Sequence, residues 1–437
     1  MLSLVVWLEP KIRNRQVNLF FILLRRCFLT LLTVISTLFA GGERSGASWN
    51  TTAAKSYSQL QEHHRRTLTW KSEPFWGGES GQLLIVDSLE DHGPGTLRTA
   101  LATRGPRIIR FQVGGVILLE SPLQVRNNGR VKIDGWSAVH HGGITLQEFG
   151  LEFFHCDDVV VTNLRQRRAR QDRGGDGNGL DLDSCRRVLI DHCSISWATD
   201  ENLGAKRAVD VTFQWCLVAE GLIEGGHREG SHSCGALLHR AHRVSMHHCF
   251  FTGNLRRNPL WSGNYTIPDV PGEKAWRDEL DEGKGRVHPL FDIRNNLFYN
   301  YVAGGATLGG AFSNFIGNTY RPGPSTPPNA VELRILEFED RYGHGRLYLK
   351  DNAGPGLGDD PDEWSITQFR GLVLPDEVMK MRVEQAFPAP VIKTQSAGRA
   401  ADLVLEQAGA WPRDATDLRL VQEAKQGGGR AGIRPTE

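Results

Sequence analysis

Apolar and polar residues alternate in short bursts through the middle of the chain, and the bursts resemble one another. DDVVVTNL begins at Asp157, RRVLIDHC at Arg186, VDVTFQWC at Val209 and HRVSMHHC at His242. With Val159, Val188, Val211 and Val244 as markers, the steps are 29, 23 and 33 residues, and GRVKIDG puts Val131 a further 28 residues earlier. FDIRNNLF, from Phe291, continues the series. Period-two alternation predicts strands, and no helical pattern lies between them. Short strands repeated with elastic spacing predict a solenoid whose loops vary while its strands stay constant. Cys193, Cys216 and Cys249 fall at matching positions, as do Cys156 and Cys185, so stacked coils would place them in interior ladders. The predicted fold class is all-β, a parallel β-helix.

The stretch VLIDHCSISWATDEN, from Val188 to Asn202, departs from the repeat in one respect. Its strand stops at Ala198-Thr199-Asp200-Glu201-Asn202, where acids crowd into a turn. A strand that delivers carboxylates onto a loop is a common way to build a cation site.

Composition narrows the class. The chain has 437 residues, 40% of them hydrophobic, enough for a large core, and 49 glycines suit a turn-rich β fold. A net charge of +1 implies no basic face and excludes a nucleic-acid partner. Seven cysteines without a CxxC pair make neither a disulfide scaffold nor a zinc ribbon. Arg25-Arg26 precede an apolar run from Phe28 to Ala40, of signal-peptide length and short for a spanning helix. Residues 1–40 are therefore expected to be a signal peptide or N-terminal anchor. A polar linker is expected over 41–75, the β-helix domain over 76–424 and a disordered Gly-rich tail over 425–437. Export, no stable membrane insertion and a monomeric state are expected.

GGESG, DHGPGTLRTAL, PRIIRFQVGGVI, VKIDG, VVVTNLR, VLIDHCSISWATDENL and RRNP, followed by AGAWPRDATD from Ala408, resemble the pectate lyase family of right-handed parallel β-helices. The likeness runs from about Trp76 to Pro324. It implies a single-stranded right-handed β-helix that cleaves an acidic polysaccharide such as polygalacturonate by β-elimination, with Ca2+ as cofactor. By the same resemblance Asp176, Asn178 and Asp200 take calcium-ligand positions, with an amide at 178 where the family has a carboxylate. The family's fourth acid falls on Gly204, which leaves Glu201 as the substitute. Arg257 takes the place of the catalytic arginine, with Arg256 the neighbouring candidate and a substrate-binding residue. A second family arginine falls on Ser262. His232 lies where many of these lyases hold a substrate-binding lysine.

Asp181 and Asp183 read as a solvated strand edge, Asp191-His192 as a structural pair bonded to a neighbouring coil, and Trp197, Trp215 and Trp261 as candidates to line a sugar cleft. His247 and His248 are adjacent on a strand, so one points inward and a shared metal is not expected. Two other functions fit the same residues: a non-catalytic carbohydrate-binding solenoid, and a glycan-degrading enzyme with another acidic substrate.

Overall fold

The structure, a computed structural model, describes residues 81–168, 177–263, 288–308, 310–336, 345–358, 362–369 and 379–433. The expected leader, the linker and Asp176 lie outside the described residues. Among the described residues, no helix is long and apolar enough to cross a membrane.

Three parallel sheets of ten, nine and eight strands are formed by the described residues, and each full coil gives one strand to each sheet. The ten-stranded sheet runs from Gln82–Val86 to Arg346–Lys350, the nine-stranded from Leu123–Arg126 to Thr367–Phe369, and the eight-stranded from Gly115–Leu118 to Thr319–Arg321. Parallel strands joined by crossovers wind right-handedly, and the fold is a right-handed parallel β-helix. The sequence markers stack one for one: Val131, Val159, Val188, Val211, Val244 and Phe291 are successive partners in the ten-stranded sheet. Ile133, Val161, Ile190, Phe213, Met246 and Ile293 form the next column. All are buried in one continuous core.

Single residues in the left-handed conformation turn the corner from the ten-stranded to the eight-stranded sheet: Asn163, His192, Trp215, His248 and Asn295, with φ between 49° and 55°. Asparagine tolerates this region best, and the other three are held by ring stacking, His192 to Trp215 at 6.0 Å and Trp215 to His248 at 4.3 Å. Immediately after the corner, Cys193, Cys216 and Cys249 form the expected buried ladder. It passes into asparagines, for the Cys249 N–H donates to Asn296 Oδ1 at 2.9 Å, and the amides of Asn296 and Asn318 donate to Asn318 and Asn352 at 3.0 and 3.2 Å. Each such buried amide bond contributes about 1 kcal/mol.

Several expectations are corrected. Asp191 and His192 do pack structurally, but the imidazole Nδ1 meets Asp191 Oδ1 of its own coil at 2.6 Å, and Asp191 is what reaches Gln214 on the next. His247 and His248 are both buried, with their Nδ1 atoms 2.9 Å apart. Beyond the last sequence marker, Arg346–Lys350 pairs with Phe312–Ile316 and coils continue to Thr367–Phe369, because lengthened loops hide the repeat without ending it. Between the last two of these strands, Glu363 accepts the N–H groups of Asp351 and Asn352 at 2.7 and 3.2 Å.

Helix α1 (Leu97–Ala102) packs against the first strands, capped by Thr96, whose hydroxyl accepts the Thr99 N–H at 3.3 Å. Helices α2 (Ala397–Gln407) and α3 (Ala415–Gln426) cover the eight-stranded sheet, setting Ala401, Val404, Leu420 and Val421 on Leu217, Phe250 and Leu297. The segment expected to be a disordered tail is ordered through 433. Gly427 ends α3 with φ 78°, Ala431 is buried, and the Gly432 N–H donates to Gly253 O at 2.7 Å.

Candidate active site

The N-terminal ends of four neighbouring strands in the nine-stranded sheet gather the candidate residues. Asn178 precedes Leu180–Asp183, Asp200 and Glu201 open Glu201–Lys206, His227 and His232 lie on the loop before Cys234–His239, and Arg256 and Arg257 precede Leu260–Ser262. Register brings them together, because Glu201 pairs with Cys234 and Cys234 bridges to Arg256.

The acid turn is shaped by backbone bonds. The Thr199 and Asp200 N–H groups donate to Gly177 O at 3.1 and 3.2 Å, and the Glu201 N–H donates to Asn178 Oδ1 at 3.2 Å. Glu201 is buried against the guanidinium of Arg257, whose Nη1 is also 3.9 Å from Asp200 Oδ1. Among the described residues, Glu201 Oε2 has no hydrogen-bond partner. Burial lowers the Arg257 pKa from its ordinary value, while Asp200 pulls it the other way. Arg257 has a φ of 57°, a conformation that costs a side-chain-bearing residue about 1–2 kcal/mol. Its backbone is nevertheless fixed, since the Ala236 N–H donates to Arg257 O at 2.7 Å. Arg256 is exposed instead and donates to Ser231 O at 3.3 Å. The two adjacent arginines are thus distinguished: Arg257 faces the acids and Arg256 faces outward.

A buried amide chain supports this segment. Asn202 Nδ2 donates to Asn254 Oδ1 at 3.0 Å, Asn254 Nδ2 to Asn258 Oδ1 at 3.2 Å, and Asn258 Nδ2 to Ala303 O at 2.9 Å. These asparagines were not foreseen from the sequence; the only signal was their recurrence in DENL and GNLRRNP.

The His227 and His232 rings lie 3.5 Å apart, with each Nε2 3.7 Å from an Asp200 oxygen. His227 Nδ1 accepts the Glu229 N–H at 3.1 Å, which places its proton on Nε2, toward Asp200. His232 Nδ1 is 3.2 Å from Gly230 O and donates to it. Two groups offer metal-ligating atoms within 4.8 Å of one another here: Asp200 with His227 and His232, and Asp200 with Glu201 and Cys234. Burial pushes the Cys234 thiol up to about 11, so it offers no thiolate near neutral pH. The carboxylates remain the donors at that end, and oxygen donors suit a hard cation such as calcium.

Asp181 is not the solvated edge residue that was expected. Leu180 and Leu182 point into the core, Asp181 to the outer face, and yet Asp181 is 7% exposed. Burial raises its pKa to about 6, against the attraction of Lys206 and a hydrogen bond from Asn178. Asp183 is half-buried and paired with Arg207. Ser262, where the family's second arginine falls, is buried and lies 2.7 Å from His239 Nδ1. The tryptophans do not line a cleft here: Trp261 is in the core and donates to Ser313 at 2.8 Å, Trp197 donates to Glu220 at 3.0 Å, and Trp215 is held in the corner stack.

Against known proteins, no family model matches the chain. The probable pectate lyase C of Emericella nidulans is 30% identical over 352 residues, 79% of this chain and 72% of that protein. The probable pectate lyase C of Aspergillus fumigatus is 29% identical over 364 residues, 82% of this chain and 76% of that protein. Among solved structures, jun a 1, the major allergen from cedar pollen, superposes with a TM-score of 0.50 at 15% identity, covering 76% of this chain and 90% of that one, a likeness of fold. With the ordered motifs, the coil geometry and a relative of this similarity and coverage, the chain belongs to the pectate lyase family.

Proposed function

We propose that the chain is a secreted, monomeric lyase that cleaves pectate, or a related uronate polymer, by calcium-assisted β-elimination. The observation that carries this is the contact of the Arg257 guanidinium with the carboxylates of Asp200 and Glu201, two coils away. The relatives' name, pectate lyase, supports the substrate class.

In the elimination the C5–H bond of a uronate breaks and its proton passes to Arg257. The electron pair forms the C4–C5 double bond, and the C4–O bond breaks, leaving the departing oxygen to take a proton. Burial favours the neutral guanidine that this role requires. The donor set fits a cation: Asp200 and Glu201 offer ligand oxygens within 4.8 Å of each other, and Glu201 Oε2 is a buried carboxylate oxygen without a hydrogen-bond partner among the described residues. Asn178, Asp200 and Glu201 would hold calcium, which would supply positive charge to offset the charge that develops next to C5. Asp176 is the further ligand that the family resemblance implies. Asp200 and Glu201, when engaged with a cation, no longer offset the charge on Arg257, which eases its loss of a proton. Exposed Arg256 offers donors to a sugar carboxylate, and His232 lies at the same edge beside Asp200.

The test is polygalacturonate with the purified chain, with calcium and with chelator. Ultraviolet absorbance of the unsaturated product that disappears with chelator supports the proposal. New reducing ends without that absorbance indicate a hydrolase, and binding without either indicates a carbohydrate-binding solenoid.

A further inference from the structure

Gly204 lies on the outer face of the strand Glu201–Lys206, directly opposite Asp181 on the neighbouring coil. A Cβ built at Gly204 falls 1.9 Å from Asp181 Oδ1, so a side chain there requires the Asp181 carboxylate to move. The next nearest group is Asn178 Nδ2, at 3.7 Å. The Asp181 carboxylate therefore fills the space that a side chain at 204 would occupy, and glycine is the residue that permits it. Asp181 is more than nine-tenths buried, and its Oδ1 has no hydrogen-bond partner among the described residues. Lys206 attracts it at a distance, without a bond to Oδ1. An unpaired buried carboxylate oxygen is costly, and such groups are ordinarily paired or bound to metal.

The side chain beside it links this oxygen to the acid turn. Asn178 bonds to the Asp181 carboxylate and accepts the Glu201 N–H at 3.2 Å. An aspartate at 204 would extend from the point that Asp181 Oδ1 now reaches from the other coil. We propose that Asp181 is a ligand of the cation held at Asn178, Asp200 and Glu201, supplying from the preceding coil the carboxylate that Gly204 lacks. This rests on the calcium reading above. Calcium takes six to eight oxygens with loose angular demands, so a carboxylate arriving from the adjacent coil serves as well as one from the same strand.

Calcium titration calorimetry on the full chain, without substrate, tests it, with terbium luminescence as a second readout. Asp181→Asn is expected to weaken calcium binding by about tenfold or more, the range for groups that order a metal site. Asp200→Asn is expected to do at least as much. Gly204→Ala leaves all carboxylates in place but pushes Asp181 aside, and is expected to weaken calcium in the same sense. It carries the test should Asp181→Asn fail to fold. The double change Asp181→Gly with Gly204→Asp is expected to restore binding to within a few-fold of the parent. Normal binding in Asp181→Asn and Gly204→Ala, with loss in Asp200→Asn, overturns the role of Asp181 and leaves the calcium reading standing. Normal binding in all variants, or none in the parent, overturns both.

Discussion

Arg257 and Glu201 are 56 residues apart in sequence, and their side chains meet, the guanidinium against a buried carboxylate. The contact exists because Asp200-Glu201 and Arg256-Arg257 sit at the same edge of the nine-stranded sheet, two coils apart. Burial makes the charge on this arginine costly although the acids offset part of that cost, and the proposed elimination would use the neutral form. Arg257→Ala is expected to lower turnover by a factor of about 100–10,000, the usual contribution of a positioned acid–base group. The Asn254 and Asn258 bonds do not involve the guanidinium, so the segment keeps its backbone, but the buried Glu201 carboxylate loses its counter-charge and the melting temperature is expected to fall. Initial rates and thermal unfolding on one preparation decide it, and near-normal turnover in a folded variant removes Arg257 from the chemistry.

The imidazole of His239 carries a pH signature. Burial, with Arg240, Lys206 and Arg207 nearby, lowers its pKa from 6.5 to about 4, so the fold favours the neutral ring. Between those values the unfolded chain binds the extra proton, and stability therefore rises with pH. The contribution is complete above pH 6.5 and is lost as the pH falls toward 4. In melting curves across that window, His239→Gln is expected to flatten the slope. An unchanged slope excludes His239 as its source.

Asn254 is the middle of a buried chain of amides. Its Nδ2 donates to Val218 O at 3.0 Å and to Asn258 at 3.2 Å, while its Oδ1 accepts from Asn202 and from the Gly221 N–H, both at 3.0 Å. Asn254→Ala leaves several buried groups unpaired and is expected to cost about 3 kcal/mol in denaturant unfolding. Because the chain supports the segment that ends in Arg257, turnover should fall as well. A stable variant of full activity contradicts the role given to this chain.

Arg167 ties the C-terminal helices to the coils. It is buried, donates to Asp414 at 2.9 Å and to Asp417 at 2.7 Å, and Ser194 Oγ donates to Asp417 at 2.6 Å. Burial works against Asp414, but Arg167 holds it below the ordinary carboxylate range; the deeper Asp417 is pushed up by burial. Arg167→Met removes the counter-charge hydrogen-bonded to Asp417 and leaves only Arg165 and Arg413 at longer range, for an expected loss of about 3 kcal/mol. Denaturant titration checks it, and a loss below 1 kcal/mol shows that α3 is held by its apolar face instead.

The columns of the ten-stranded sheet were legible because β-branched and polar residues alternate at every coil, and Val131 through Phe291 stack as their spacing implies. Asp200 and Arg257 could be placed on one site because the strands before them share a frame. Side chains whose environment depends on the neighbouring coil were not legible. Asp181 looks like an exposed strand residue until Gly204 is seen opposite it. Trp261 alternates correctly for either face, and only the assembled core puts it inside. The late coils vanish from the sequence because their loops are long, and the Gly-rich end reads as loose chain although Gly427 closes α3 and Ala431 packs beneath.

The corners at Asn163, His192, Trp215, His248 and Asn295 turn the chain through a single residue each. Nothing there can absorb a change in length. One inserted residue would exchange the inward and outward faces of the following strand, and every coil stacked on it would inherit the error. The loops leading into the nine-stranded sheet carry no such phase. Variation among relatives should therefore collect on that one flank, where the acids and Arg257 are displayed, while the opposite corner keeps the frame.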